Sequence, residues 1–347
     1  MFHFSKNKKV IVVAEISANH GQHFEQAVAL IREAKKCGAD AVKFQAYTPD
    51  SITVNVDNKY FRIQHPEWGG QTLYRLYQKA YTPLHWFKKL KRIADNEGVG
   101  FFATAFDKAS VDLLEGLAVE VHKIASFELV DLPLIEYAAG TGKPLIISTG
   151  MASLSEIKEA VDTARRGGAA EVTLLRCVSS YPADPRDMNL RTIPDLQKRF
   201  GCCVGLSDHT LGIGVALTSV ALGAVMIEKH FISSRRRKTP DSFFSIEPAE
   251  LKELVKGVRL AEEALGEPRY TLTPGEKKST AFRRSLFVVE DIPQGGLLTE
   301  ENVRSVRPAQ GLKPKYFKDV LGRRAEKTIR KGTPLRWDLI SQEKERS

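Results

Sequence analysis

A chain of 347 residues is long enough for one large domain and one small one, and its 42% hydrophobic and 27% charged content is that of a water-soluble globular protein. No apolar run approaches the roughly 20 residues that cross a bilayer, and the opening MFHFSKNKKVIVVAE runs from a short apolar stretch straight into Glu15, so it does not read as a secretory leader and a cytoplasmic protein is expected. The net charge of 52 − 42 = +10 admits nucleic acid or acidic small molecules, but basic runs such as RRRK (235–238) are short and lack interleaved aromatics, so an anionic small substrate is expected, with no nucleic acid and no membrane partner. The four cysteines, Cys37, Cys177, Cys202 and Cys203, show no CxxC spacing and read as reduced, mostly buried thiols.

Along the chain, short apolar β-type runs alternate with longer amphipathic stretches. The strand runs are VIVVAEIS (10–17), AVKFQAY (41–47), GFFATAF (100–106), EVHKIAS (120–126), PLIISTG (144–150), EVTLLRCVSS (171–180), CVGLSDH (203–209) and VMIEKHF (225–231). Helical spacing marks 23–38, closed by Gly38; 153–168, with Ser153 and Glu156 as a capping box; and 248–266. Eight strands alternating with helices indicate parallel βαβ units, and eight is the number that closes a (β/α)8 TIM barrel in about 250 residues. A doubly wound open sheet would show a glycine-rich phosphate loop after an early strand, and strand 1 runs instead into AEISANHG. The long connection between strands 2 and 3 holds PEWGGQTLYRLYQKAYTPLHWF (66–87), rich in Trp and Tyr, which suits either a lid or a packed surface elaboration.

The barrel domain is therefore expected over 1–266. Residues 267–284, EPRYTLTPGEKKSTAFRR, read as a linker, and 285–347 as a small β-rich domain with turns at PQGG and RKGTP. So small a domain is marginal alone and is expected to pack on the barrel or on a second subunit.

In a TIM barrel the C-terminal strand ends build the active site. Every strand here ends polar on an apolar stem: Glu15, Ser17, Asn19 and His20; Lys43 and Gln45; Thr104 and Asp107; Lys123, Ser126 and Glu128; Ser148, Thr149 and Gly150; Ser179, Ser180 and Tyr181; Ser207, Asp208 and His209; Glu228, Lys229 and His230. Lys43 and Lys123 with the hydroxyls of Thr104, Ser126, Ser148 and Ser207 suit a phosphate or carboxylate ligand. Parity sets His209 with Ser207 and His230 with Glu228, and sets Asp208 and Lys229 on the opposite faces. Two histidines on neighbouring strands with carboxylates close by fit a divalent metal site that water and substrate complete. Alternatively, Lys123 or Lys43 could form a Schiff base with a carbonyl substrate, as in aldolases.

AEISANHG, VKFQAY, KIASFE, IISTGM, GLSDHTLG and IEKHF, followed by FRRSL and RPAQGL, resemble in order the motifs of the sialic acid synthase family and its C-terminal antifreeze-like (SAF) domain. GGQTLYRLYQKAYTP, KIASFE (where sialate synthases more often have a Gly-Ser-Gly-Glu form) and PDSFFSIEP are most similar to the pseudaminate branch. The resemblance implies condensation of phosphoenolpyruvate with an open-chain amino sugar, here 2,4-diacetamido-2,4,6-trideoxy-L-altrose, releasing phosphate. N-acetylneuraminate or legionaminate synthesis is the alternative. It implies a divalent metal, manganese with magnesium or cobalt possible, and a domain-swapped homodimer. Residue by residue it implies His209 and His230 as metal ligands. Lys43, Thr104, Lys123, Ser126, Ser148 and Ser207 would hold phosphoenolpyruvate. Glu15, Gln45, Glu128, Tyr181, Asp208, Glu228 and Asp241 would surround the sugar, metal and attacking water, and Arg307 would reach a partner's site. RRRKTPDS departs from the turn that relatives often carry, which puts charge at the sugar end of the site. A non-catalytic ice- or ligand-binding reading of the second domain leaves the lysines and histidines of the strand ends unused.

Overall fold

The computed structural model describes residues 9–342; the expected N-terminal residues 1–8 and the last residues of the second domain, 343–347, lie outside that range. The chain divides into two compact units between Gly266 and Glu267.

The first unit is a closed barrel of eight parallel strands: β1 (Ile11–Glu15), β2 (Ala41–Ala46), β3 (Gly100–Ala105), β4 (His122–Ile124), β5 (Leu145–Ser148), β6 (Val172–Cys177), β7 (Cys203–Asp208) and β8 (Met226–His230). β8 closes on β1 with Val13 opposite Glu228 and Glu15 opposite His230. Each strand is followed by an outer helix, among them Phe24–Lys36, Leu154–Arg166 and Pro248–Leu265. The first turns inward on Ala27, Leu30, Ile31 and Ala34, as its apolar spacing requires. The second starts at the expected box, Ser153 and Glu156 capping each other's backbone N–H groups.

The apolar positions form two layers. Val12, Ala14, Val42, Phe44, Ile147 and Leu206 face the helices. Val13, Ala41, Phe102, Val121, Ile146, Leu175 and Met226 fill the barrel interior. Gly205 marks a close approach on β7: a Cβ there would stand 2.5 Å from Met226 O and 2.8 Å from Leu175 Cδ2, so only glycine lets the strands keep this register.

β4 and β6 depart furthest from the sequence reading. β4 holds three residues in the ladder rather than seven. β6 stops at Cys177 because the next carbonyl, Val178 O, turns out of the ladder to accept from His209 Nδ1 at 2.9 Å.

In the second unit β9 (Ser285–Val288) pairs antiparallel with β10 (Val303–Val306), and single bridges such as Ile292 to Ile329 and Ala325 to Ile340 tie the remaining turns. Leu286, Val288, Ile292, Leu298, Val303, Leu335 and Leu339 make its core. Part of the stretch read as linker is a short helix, Pro274–Ser279, with a capping box of Thr273 and Glu276.

Candidate active site

Strand parity builds the site. Two residues beyond each interior apolar position, on the same face, stands a functional side chain: Val13 leads to Glu15, Ala41 to Lys43, Phe102 to Thr104, Val121 to Lys123, Ile146 to Ser148 and Met226 to Glu228. Glu15, Lys43, Gln45, Thr104, Lys123, Ser126, Ser148, Tyr181, Ser207, His209, Glu228 and His230 all line one cavity at the C-terminal mouth of the barrel.

Its floor is cationic. Lys123 Nζ donates to Ser148 Oγ at 2.6 Å and to Ile124 O at 2.7 Å. Lys43 Nζ donates to Thr104 Oγ1 at 2.9 Å and pairs with Glu15 Oε2 at 3.0 Å and Glu228 Oε1 at 3.4 Å. Ser207 Oγ donates to Glu228 Oε1 at 3.3 Å, Gln45 Nε2 donates to Glu15 Oε1 at 3.1 Å, and Ser126 Oγ accepts from Gly150 N at 3.0 Å. Two buried carboxylates share one ammonium, and they titrate apart. Burial, against the pull of Lys43, raises the Glu15 carboxyl to about 7. Burial also works against ionised Glu228, but Lys43, Lys123 and His209 outweigh it and its pKa is lowered. Burial lowers Lys123 to about 8. Glu228 and Glu128 each keep a buried Oε2 without a partner. An unpaired buried acceptor costs about 1–3 kcal/mol, so these oxygens are set for donors that a ligand brings.

The histidines face each other across β7 and β8, ring centroids 5.4 Å apart. His209 donates from Nδ1 to Val178 O, which leaves its other nitrogen as the lone-pair side. Burial, reinforced by His209 and Lys43, holds His230 well below the usual imidazole range, and its buried Nδ1 has no hydrogen-bond partner, with Asp241 Oδ2 3.7 Å away. A neutral imidazole with a free nitrogen beside a second oriented imidazole fits a divalent cation. Among the described residues no group of three or more His, Cys, Asp or Glu side chains forms a cage, so most of the coordination shell would fall to water and substrate.

Asp208 is a correction. It points away from the cavity, behind the strands: its Oδ2 pairs with Lys229 Nζ at 2.8 Å and its Oδ1 accepts from Thr210 N at 2.9 Å and Thr210 Oγ1 at 2.7 Å. Odd–even alternation puts it on the face opposite Ser207 and His209, so it braces β7 against β8. Asp241 is buried beside His230 and accepts from Ala18 N at 3.3 Å. Glu128 is half-buried on the turn Ser126–Glu128, raised by burial to about 7. Neither Asp241 nor Glu128 lines the cavity that holds the other residues. Asn19 and His20 are structural: Asn19 Nδ2 donates to Phe231 O and Ser245 Oγ, and His20 Nε2 lies 2.9 Å from Thr82 Oγ1. Arg307 is exposed after β10 in the second unit.

The sequence reading missed Cys177 and Phe127, which also line the cavity. Burial works against the Cys177 thiolate, but His209, Ser126 and Lys123 outweigh it and the thiol falls to about 7. It also missed an aromatic cluster above the histidines. Tyr181 packs on His209 at 4.4 Å and on Phe244 at 5.1 Å. Trp68, from the long β2–β3 connection, packs on Tyr181 at 5.5 Å and donates its indole N–H to Pro240 O at 2.7 Å. The aromatic connection therefore reaches the site.

A family model described as the NeuB family matches residues 30–270, and one described as the SAF domain matches residues 283–341. The chain is 44% identical to the pseudaminic acid synthase of Helicobacter pylori, over 95% of this chain and 97% of that one. It is 35% identical to the N,N'-diacetyllegionaminic acid synthase of Legionella pneumophila, over 95% and 94%. Among solved structures it is similar to N-acetylneuraminic acid synthetase from Leptospira borgpetersenii in complex with citrate, at a TM-score of 0.71 and 34% identity, covering 79% of this chain and 90% of that one.

Proposed function

The chain belongs to the NeuB family, and from that premise we propose that it is a cytoplasmic transferase that condenses phosphoenolpyruvate with 2,4-diacetamido-2,4,6-trideoxy-L-altrose to give pseudaminate and phosphate. The observation that carries the reaction class is the floor of two buried lysines and short hydroxyls beneath a facing pair of histidines. The choice of sugar rests on the higher identity to a pseudaminic acid synthase than to a legionaminic acid synthase.

Lys123, Ser148 and Ser126 would hold the carboxylate and phosphate of phosphoenolpyruvate at one end, and Lys43, Thr104 and Ser207 at the other, as charge-assisted hydrogen bonds demand. A divalent ion, manganese with magnesium or cobalt able to substitute, would be held by His209 and His230 and would supply Lewis acidity toward the sugar's aldehyde oxygen. Carbon 3 of phosphoenolpyruvate attacks the aldehyde carbon, forming the new carbon–carbon bond as the carbonyl π bond opens and its oxygen takes up a proton to become a hydroxyl, and leaving oxocarbenium character at carbon 2. Water adds there, and the carbon–oxygen bond to phosphate then breaks. Glu15, its pKa raised to about 7, is in its carboxylate form the group suited to take a proton from that water, while ionised Glu228 stabilises the positive charge at carbon 2. Glu128, Gln45, Tyr181 and Asp241 orient the sugar, and Arg307 would reach it from the second domain of a partner in a domain-swapped dimer.

Purified protein incubated with phosphoenolpyruvate, manganese and each of three amino sugars, leading to pseudaminate, legionaminate or N-acetylneuraminate, tests the reading. We expect phosphate release with the altro sugar foremost, loss of activity in chelator and return with manganese. Oxygen-18 in the bridging position should end in phosphate; label kept in the sugar acid, or a borohydride-trapped lysine adduct, overturns the mechanism.

A further inference from the structure

Phe127 is out of place as a structural residue. It sits in the three-residue turn Ser126–Glu128 between a buried serine of the anion floor and a glutamate whose Oε2 is buried without a partner. The phenyl is 58% exposed, so the fold gains little from it through burial. Yet it lines the same cavity as Lys43, Lys123, His209 and His230. It is a large apolar surface presented to the site by a turn that Ser126 ties down through Gly150 N.

The barrel's order says what lies against it. β4, which carries this turn, is the fourth strand round from β8, and so stands across the mouth from His230. An open-chain sugar whose aldehyde is directed to the histidines can reach this turn by running its far end across that mouth. The sugar proposed above ends in a methyl group where related hexoses end in a hydroxymethyl group.

We propose that Phe127 is a specificity-determining residue whose phenyl packs against the deoxygenated terminus of the amino sugar, favouring a C6 methyl over a C6 hydroxyl. This rests on the substrate reading above. Phe127, unlike its neighbour Glu128, lines the cavity, so the turn presents its apolar face there. An apolar wall of this kind separates substrates differing by one hydroxyl by about a hundredfold at most.

The test compares 2,4-diacetamido-2,4,6-trideoxy-L-altrose with its 6-hydroxy counterpart in wild type, Phe127→Ala and Phe127→Leu, with phosphoenolpyruvate and manganese. Wild type should prefer the 6-deoxy sugar by roughly 10- to 100-fold in kcat/KM. Phe127→Ala should bring that preference to within about threefold, mainly through the KM for the 6-deoxy sugar, while Phe127→Leu keeps most of it. The KM for phosphoenolpyruvate and the thermal midpoint should stay near wild type, because the side chain is mostly exposed. Equal losses on both sugars, a raised KM for phosphoenolpyruvate, or a weakened dimer in sedimentation with the preference intact would overturn the assignment. A wild type that prefers the 6-deoxy sugar, with the preference unmoved in Phe127→Ala, sinks the role of Phe127 alone. A wild type that accepts only 6-hydroxy sugars sinks the substrate reading and this role together.

Discussion

Lys43→Met should turn the floor of the barrel into a pH-dependent fault. Lys43 is 3% exposed, with Glu15 at 0% and Glu228 at 5%, and its ammonium lies 3.0 and 3.4 Å from their oxygens. Methionine keeps the stem and removes the charge, which leaves two buried carboxylates facing each other. Breaking a buried pair by removing one partner costs about 3–5 kcal/mol. The cavity mouth above admits water, so the low end, about 3 kcal/mol, is expected at pH 8. At about 2–4 °C per kcal/mol for a unit of this size, that is a fall of roughly 6–12 °C in Tm.

The pH dependence has a definite sign. In the wild type the Glu15 pKa is raised from 4.5 to about 7, first by burial. The folded protein then keeps a proton that the unfolded chain releases, so this carboxyl's contribution is most favourable below 4.5 and is lost as pH rises through about 7. Lys43 lowers the pKa of both Glu15 and Glu228, so removing it raises both and steepens the loss. At pH 5 the Glu15 carboxyl keeps its proton, so the two groups no longer repel as a pair of anions, and the deficit of the variant should shrink to less than half its value at pH 8. Calorimetry of both proteins at pH 5, 6.5 and 8 in chelator measures it. Adding Glu15→Gln and Glu228→Gln to Lys43→Met should restore most of the stability at pH 8. A deficit that is the same at pH 5 and pH 8, and not relieved by the two amides, would show that packing of the lysine stem matters and the shared charge does not.

Lys229→Met should destabilise by about 3–5 kcal/mol, because it strands Asp208 behind the strands, while kcat/KM of the folded enzyme stays within a few-fold; a hundredfold fall in kcat would return Asp208 to the site. Gly150→Ala places a Cβ 2.2 Å from Ser179 Oγ and 2.8 Å from Ser126 Oγ, so Ser126 must move and the KM for phosphoenolpyruvate should rise about tenfold; an unchanged KM would remove Ser126 from the anion floor. His230→Ala and Arg307→Ala should each be inactive alone. If Arg307 acts on a partner's barrel, equal mixing after subunit exchange should restore about a quarter of wild-type activity, since half of the dimers then carry one intact site; no recovery would put Arg307 in its own chain's site, and an active Arg307→Ala would put it in none.

Much of this site is legible in the sequence because a barrel strand has a period of two and only one wet end. Ala41, Lys43 and Gln45, or Met226, Glu228 and His230, show an apolar stem and polar tips on one face within a single run. What escaped was whatever depends on where a strand stops or on which loops meet. Cys177 follows Leu175 on the inward face, but the apolar-to-polar run continues in sequence to Ser180, so the strand's end at the thiol is set by tertiary contacts and not by the run itself. Trp68 and Tyr181 are 113 residues apart in sequence, and their contact arises from tertiary closure of two connections, which no local period encodes. Asp208 shows a different conflict: the family resemblance sets it in the site with Ser207 and His209, whereas alternation sets it on the other face. Alternation gives that aspartate to Lys229, across the back of the barrel, and the 2.8 Å pair is found there. The run Glu228, Lys229, His230 divides by the same rule. The outer charge is neutralised within the protein, whereas Glu228 and His230 each keep a buried atom without a partner for the ligand to meet. Among buried ionisable groups at a strand end, the face decides which are structural, and the unpaired atom marks which are poised for chemistry.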